Sequence, residues 1–261
     1  MLVRPSQALV ISDGTHDAWE LVNRAQQSQP ASGYLIPQPA HSALAGDIAA
    51  KLSPEHFPGL ESTVVRCIAL HDTGWSAFDA RQIEALRSQK NYRPISFTQE
   101  QADVFLPAWT GSIDAVEKIT PAGGYMVSRH FESIGAEQGS RLSEHDKRDV
   151  EQFAHRERGR QDRIVRESGK PREQLEMLLQ ANRFCDLLSL FLCSNIELSG
   201  GAKAHFTQNA KYPAGYTLTR DADAWAFEGA TPFSERAEFT FSGLAFGEGK
   251  RGGAFFSAAV R

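Results

Sequence analysis

The sequence predicts a mainly α protein: a helical bundle over residues 38–195, completed by a small antiparallel β-sheet formed by the N- and C-terminal segments. Three observations carry this. Residues 38–195 repeat apolar side chains at helical spacing between proline and glycine breaks. Residues 1–37 contain two short β-like pieces, "ALVIS" and "GYLIP". Residues 200–261 alternate aromatic and polar positions between glycine-rich turns. The chain divides into 1–37, 38–195 and 196–261, expected to pack as one compact unit.

Taken in order, the polar stretch His16–Gln29 between the two β-like pieces has helical potential. Pro39 suits the first turn of a helix, and "HSALAGDIAAKL" then puts His41, Leu44, Ala45, Ile48 and Leu52 on one face. "LESTVVRCIALHD" carries Leu60, Val64, Ile68 and His71 along one stripe, after which Gly74 fits the left-handed position that closes many helices. Further helices are expected over Thr98–Ile119, "GYMVSRHFESIG", Ser143–Ser168 and the run from Pro171 to Cys193. In the tail, Tyr216 and Leu218, Trp225 and Phe227, and Phe239 and Phe241 are spaced as strand residues on one face.

Composition narrows the function. A net charge of −4 argues against nucleic-acid binding through bulk electrostatics. In the charged stretch Ser143–Ser168 acids and bases interleave, as on a solvated helix with paired charges. No apolar run approaches the ~18 residues of a membrane span. Cys67, Cys185 and Cys193 stand in apolar context without a CxxC pattern, and no signal peptide is read at the start, so a cytoplasmic protein is expected. "PAGGYM" lacks the Lys-Ser/Thr of a phosphate loop, and there is no GxSxG elbow.

The chemistry gathers around "CIALHDTGWSAFDA", where an apolar run ends in His71-Asp72. On a helix the two side chains lie ~100° apart, so they do not face each other. Both can still reach one atom beyond the helix end, as an imidazole nitrogen and a carboxylate oxygen meeting on a divalent ion. His41, on the apolar face of its own helix, is a further candidate ligand. Asp186 is another, because "FCDLLSLFLC" is apolar but for that acid and one serine, and a lone buried carboxylate needs a proton or a cation. Arg183, three residues earlier, is its alternative partner. Gln38 and Trp75 are read as groups lining the pocket that binds substrate, and Asn182 as a hydrogen-bond orienter of Asp186.

The order His41, His71-Asp72, Asp186 resembles the HD-domain superfamily of metal-dependent phosphohydrolases, over roughly residues 38–195. Within it, "HDTGW", the Gln38-to-His41 entry, "VSRH" and "DLLSLFLC" look most like an uncharacterised bacterial family known only as a domain of unknown function. The resemblance implies a divalent ion (Mn, Fe, Ni, Co, Mg or Zn) held by His41, His71, Asp72 and Asp186. It also raises a second ion, with His130 as a ligand and His155 after it, and an acid just past the pair, Asp79, that holds or activates water. Asp72 and Asp79 would serve catalysis, with Arg129 and an arginine of the long charged helix neutralising a phosphate. The expected reaction is hydrolysis of a small phosphorylated substrate, a nucleotide or another phosphomonoester or diester. Two other readings stay open: a di-iron oxygenase, which needs both His130 and His155 as ligands, and a non-catalytic sensor that binds a nucleotide. The β-rich tail is a candidate lid or homodimer contact.

Overall fold

The computed structural model describes residues 1–89, 92–137, 142–207, 215–221, 224–247 and 252–261. The chain begins with β1 (Leu2–Pro5), β2 (Leu9–Ile11), β3 (Thr15–Asp17), α1 (Ala18–Gln26) and β4 (Gly33–Ile36). The helical zone follows as α2 (Gln38–Ala49), α3 (Ser62–Ala69), α4 (Ser76–Ser88), α5 (Ala102–Glu117), α6 (Pro121–Glu137), α7 (Glu144–Ser168) and α8 (Arg172–Cys193). The tail supplies β5 (Ile196–Leu198), β6 (Lys203–Phe206), β7 (Tyr216–Asp221), β8 (Ala224–Glu228), β9 (Ala237–Phe246) and β10 (Gly253–Val260).

The expected mainly α, or all-α, fold with a small antiparallel sheet is overturned. Eight strands form one sheet in the order β1-β4-β9-β10-β8-β7-β6-β3, and the architecture is α/β. The sheet is mixed, since β3 runs parallel to β6 and β10 meets β8 in parallel. A separate parallel ribbon joins β2 to β5. The physical reason is that the N-terminal strands are three or four residues long, too short to display alternation. They also pair far along the chain, β4 on β9 and β3 on β6, and such pairing leaves no local trace.

One face of the sheet carries α1 and α2, and at the β1-β4 end Ile83 and Leu86 of α4 pack on the other face against Val3 and Leu35. Along β9 every second residue from Ala237 to Phe241 is buried while Glu238, Thr240 and Ser242 face outward. Helix α2 packs on β9, and α1 packs on β1 and β6. Helix α8, buried along nearly all of its second half, is the central post against which α1, α2, α3 and α6 pack. The apolar core is continuous from Ile48 and Ile68 through Phe184 and Phe191 to Phe206, Phe227 and Phe239. Helix α4 escapes sequence reading because only Asp79 and Gln82 are buried in it, so it has no apolar stripe. Among the described residues, no helix is long and apolar enough to cross a membrane.

Candidate metal centre

Helix α3 stops at Ala69, so His71 and Asp72 lie in the turn between it and a short 3-10 turn, Thr73–Trp75. Leaving the helix there lets both side chains face one point. Gly74 has no positive φ, which corrects its reading as a left-handed helix cap. Its role is close approach: a Cβ at this position would stand 2.0 Å from the Ala108 carbonyl oxygen of α5. The Gly74 N–H donates to Ser112 Oγ at 3.0 Å, pinning the turn to α5. Helix α2 reaches the same point because Gly46 lies against Ala69, where a Cβ would come within 2.3 Å of the alanine Cβ.

His41, His71, Asp72 and Asp186 converge, each offering one ligand atom, all within 4.8 Å of one another. His41 Nε2 is 2.7 Å from Asp72 Oδ2 and 3.7 Å from Asp186 Oδ1. His71 Nε2 is 3.2 Å from Asp186 Oδ1 and 3.5 Å from Asp72 Oδ2. Both histidines are fully buried, and both carboxylates nearly so.

The surrounding hydrogen bonds decide what those nitrogens can do. His71 Nδ1 donates to the Ile68 carbonyl at 2.8 Å, an oxygen that only accepts. Ser189 Oγ donates to the Asp186 carbonyl at 2.8 Å, which leaves it to accept from His41 Nδ1 at 2.9 Å. Each Nδ1 therefore carries the hydrogen, and each neutral ring turns an Nε2 lone pair toward the carboxylates. Acceptors facing acceptors in a dry site require a cation or protons between them. The donor set, two imidazoles and two carboxylates, fits a divalent ion with nitrogen and oxygen preference. With no ion considered, protons take its place. Burial alone would lower the pKa of His71, but the charges of Asp72 and Asp186 outweigh it and raise it to about 9.

His130 stands beside this group, Nε2 3.3 Å from Asp186 Oδ2, on the oxygen that His71 does not use. His155 is not brought to the site; it lies on the exposed face of α7, in a shallow surface depression with Arg148 and Arg156. Asp79 does not line the cleft above the cluster: it accepts from the Gln38 backbone N–H at 2.6 Å and pairs with the Met1 amine at 3.0 Å. Burial pushes its carboxyl above the usual range against both partners. Asn182 is fully buried, and neither amide atom makes a hydrogen bond among the described residues, so it does not orient Asp186. Ser189 and Ser42 do the positioning instead, Ser42 Oγ lying 3.1 Å from His71 Nδ1 and accepting from the Asp72 N–H at 3.3 Å.

The cluster opens into a cleft of about 360 Å³ lined by His41, Asp72, His130, Asp186, Gln38 and Trp75, together with Trp19, Phe97, Glu100, Phe105, Trp109, Phe131 and Arg183. The arginine expected to face a phosphate, Arg129, is turned away and held by Glu132 and Glu176. Two arginines of α7 are likewise committed: Arg160 to Asp114, Glu117 and Glu157, Arg163 to Glu117 and Glu167. Among the described residues, the guanidinium that lines the cleft is Arg183, which has no ion pair within 4 Å there and does not reach Asp186. Burial lowers its pKa, and Glu137 nearby opposes that.

Glu137 and Glu100 are further acids of the cleft wall. Burial raises the Glu100 carboxyl to about 7, the Met1 amine opposing and Asp103 and Asp79 adding to the rise. A carboxyl whose folded pKa is raised destabilises the fold increasingly as pH climbs from 4.5 to about 7. Glu100→Gln is therefore expected to stabilise the protein by roughly 1 kcal/mol at pH 8, after discounting for solvent around a half-buried group. That is a rise of about 2–4 °C in Tm, shrinking toward zero near pH 4.5. Thermal unfolding of both proteins at pH 8 and pH 5 checks it; an equal gain at the two values would refute the cause.

Comparison with known proteins adds one match. The profile of a family described as proteins of unknown function, DUF3891, aligns with residues 25–239, taking in every ligand candidate and, in full, four of the eight strands of the sheet, β4, β6, β7 and β8. No curated protein and no solved structure matches. With more than half of its length inside that profile, the chain belongs to the DUF3891 family.

Proposed function

We propose that this protein is a metal-dependent phosphohydrolase acting on a small phosphate ester. The observation that carries the reading is the convergence of two Nε2 lone pairs and two carboxylates, from α2, the turn after α3 and α8, at the floor of a cleft that also holds an unpaired guanidinium. Their order along the chain, which resembles the HD-domain superfamily, supports the same reading. A divalent ion held by His41, His71, Asp72 and Asp186 supplies Lewis-acid activation of water and of a phosphoryl group. Arg183 takes the phosphoryl oxygens, a role for which its fork of donors is suited. His130 holds the second oxygen of Asp186, and Ser189 and the Ile68 carbonyl keep His41 and His71 in the right tautomer. Trp75, Leu187 and Leu190 form an apolar border that limits water at the floor. The three buried thiols, Cys67, Cys185 and Cys193, suit a reducing cytoplasm.

Elemental analysis of the purified protein, alone and as His71→Ala and Asp72→Ala, tests the centre. About one divalent ion per chain is expected in the parent and little in either variant, with circular dichroism confirming that both are folded. Metal content unchanged in both variants would end the proposal. A panel of phosphomonoesters and diesters then separates hydrolase from sensor: a loaded protein without turnover favours a binding module. The two-iron oxygenase has no geometric support, because the His155 it requires sits on the outer face of α7.

A further inference from the structure

The cleft carries a second chemistry that the ion centre leaves unused. Its other wall is built by α1 and the 3-10 turn Phe97–Gln99, fastened together by Ser96 Oγ donating to Gln26 Oε1 at 2.9 Å. Glu100 closes that turn, its N–H donating to the Phe97 carbonyl at 3.4 Å, so the acid and the ring of Phe97 come from one short turn, and both line the cleft with Trp19 of α1. Among the described residues, no lysine, arginine or histidine nitrogen comes within 4 Å of Glu100, and its Oε1 accepts no hydrogen bond. The Met1 amine, which attracts it electrostatically, is committed to Asp79. Among the described residues that line the cleft there is no lysine and one arginine, Arg183 on α8, with Glu137 of α6 near it. Among these residues the cleft is therefore polarised: a guanidinium with an acid near it and ligands for a cation on the α6 and α8 side, and a carboxyl without an ion-pair partner in the wall that also holds Trp19 and Phe97.

Aromatic rings alone would accept any flat or apolar group. The acid adds selection, because ring faces and a carboxylate together attract an organic ammonium, and they repel a second phosphate. We propose that the cleft takes small molecules bearing a quaternary ammonium group, seated against Trp19, Phe97 and Glu100, with the phosphoryl group of the same molecule at Arg183 and the ion centre. Only the phosphoryl half rests on the hydrolase reading; the ammonium subsite stands on its own walls.

Choline and 3,3-dimethylbutanol, its uncharged carbon isostere, test the subsite on the full chain at pH 8. Tryptophan fluorescence reports binding, since Trp19, Trp75 and Trp109, three of the four tryptophans, line the cleft. Choline is expected to bind at least about ten-fold tighter than the isostere. Glu100→Gln, which keeps the side chain's shape and is expected to fold at least as well, should bring the ratio near one. Trp19→Ala should weaken both ligands. Equal binding of the pair, binding of neither, or a choline preference that survives Glu100→Gln overturns the inference. Neither probe contains phosphorus, so the two readings fail separately. A choline preference in a protein that holds no metal sinks the hydrolase and leaves the subsite, whereas a metal-loaded protein without the preference sinks the subsite alone.

Discussion

Asp186→Asn is expected to lower divalent-ion affinity by more than about 100-fold while leaving the fold intact. The size follows from where the carboxylate sits: Oδ1 lies 3.2 Å from His71 Nε2 and Oδ2 lies 3.3 Å from His130 Nε2. Losing a mere outer partner of a ligand typically costs 10–100-fold, and here a ligand charge itself is removed. Asparagine keeps the volume, so the packing of α8 against α2 and α6 is undisturbed. Burial pushes the Asp186 carboxyl up, yet hydrogen bonds and charge from His130 and His71 outweigh it and hold it well below the ordinary range. The metal-free protein should therefore also lose stability, in a pH-dependent way. His71, raised to about 9, contributes stability that is complete below its unfolded pKa of 6.5 and disappears as pH rises through 9. Removing one of its two acids should cost about 3 kcal/mol at pH 6, the scale for breaking a buried charge pair, and much less at pH 9.5. Chelator competition measures the first effect and urea unfolding of the metal-free proteins at the two pH values measures the second. A variant that holds metal within a few-fold of the parent would show that the four groups do not form a centre.

The ligand set is legible in the sequence because its members interrupt or end apolar stretches. Asp186 in "FCDLLSLFLC" and His71 at the end of "VVRCIAL" are out of place unless something positive joins them. Ser189 carries the same signal, the one other polar residue of that run, and Ser42 follows His41 directly; both turn out to hold ring nitrogens. What sequence does not reveal is long-range commitment. Arg129 and Arg183 both flank site residues in the chain, and nothing local says that Glu132 and Glu176 take the first and leave the second free. The cleft's acidic wall is invisible for the same reason, since Glu100 joins Trp19 in lining it only through the docking of a 3-10 turn on α1. The sheet is legible in its tail strands, where alternation spans Phe239 and Phe241, and illegible in its three- and four-residue N-terminal strands, which close its two ends.

Gly74→Ala should be among the most damaging single substitutions in the chain, and Gly111→Ala, facing it across the same contact, should be harmless. A methyl group at position 74 would stand 2.0 Å from the Ala108 carbonyl oxygen and 2.7 Å from the Ser112 nitrogen. Both are backbone atoms of α5, and no rotamer change can move them aside. The turn must back away, which breaks the Gly74 N–H bond to Ser112 Oγ and carries His71 and Asp72, three and two residues earlier, off the point where they meet Asp186. A loss of about 3 kcal/mol or more is expected, with the metal site failing alongside. At Gly111 the added Cβ would meet only the Gly74 Cα, at 3.5 Å, an ordinary contact. Inside α5, replacing glycine by alanine there should gain up to about 1 kcal/mol from helix propensity. Urea midpoints and bound-metal ratios for the two variants, measured side by side, check the pair of expectations. If Gly74→Ala unfolds at the parent's midpoint and keeps its ion, the close approach of the turn to α5 is not what positions the ligands, and the geometry of the centre must be held some other way.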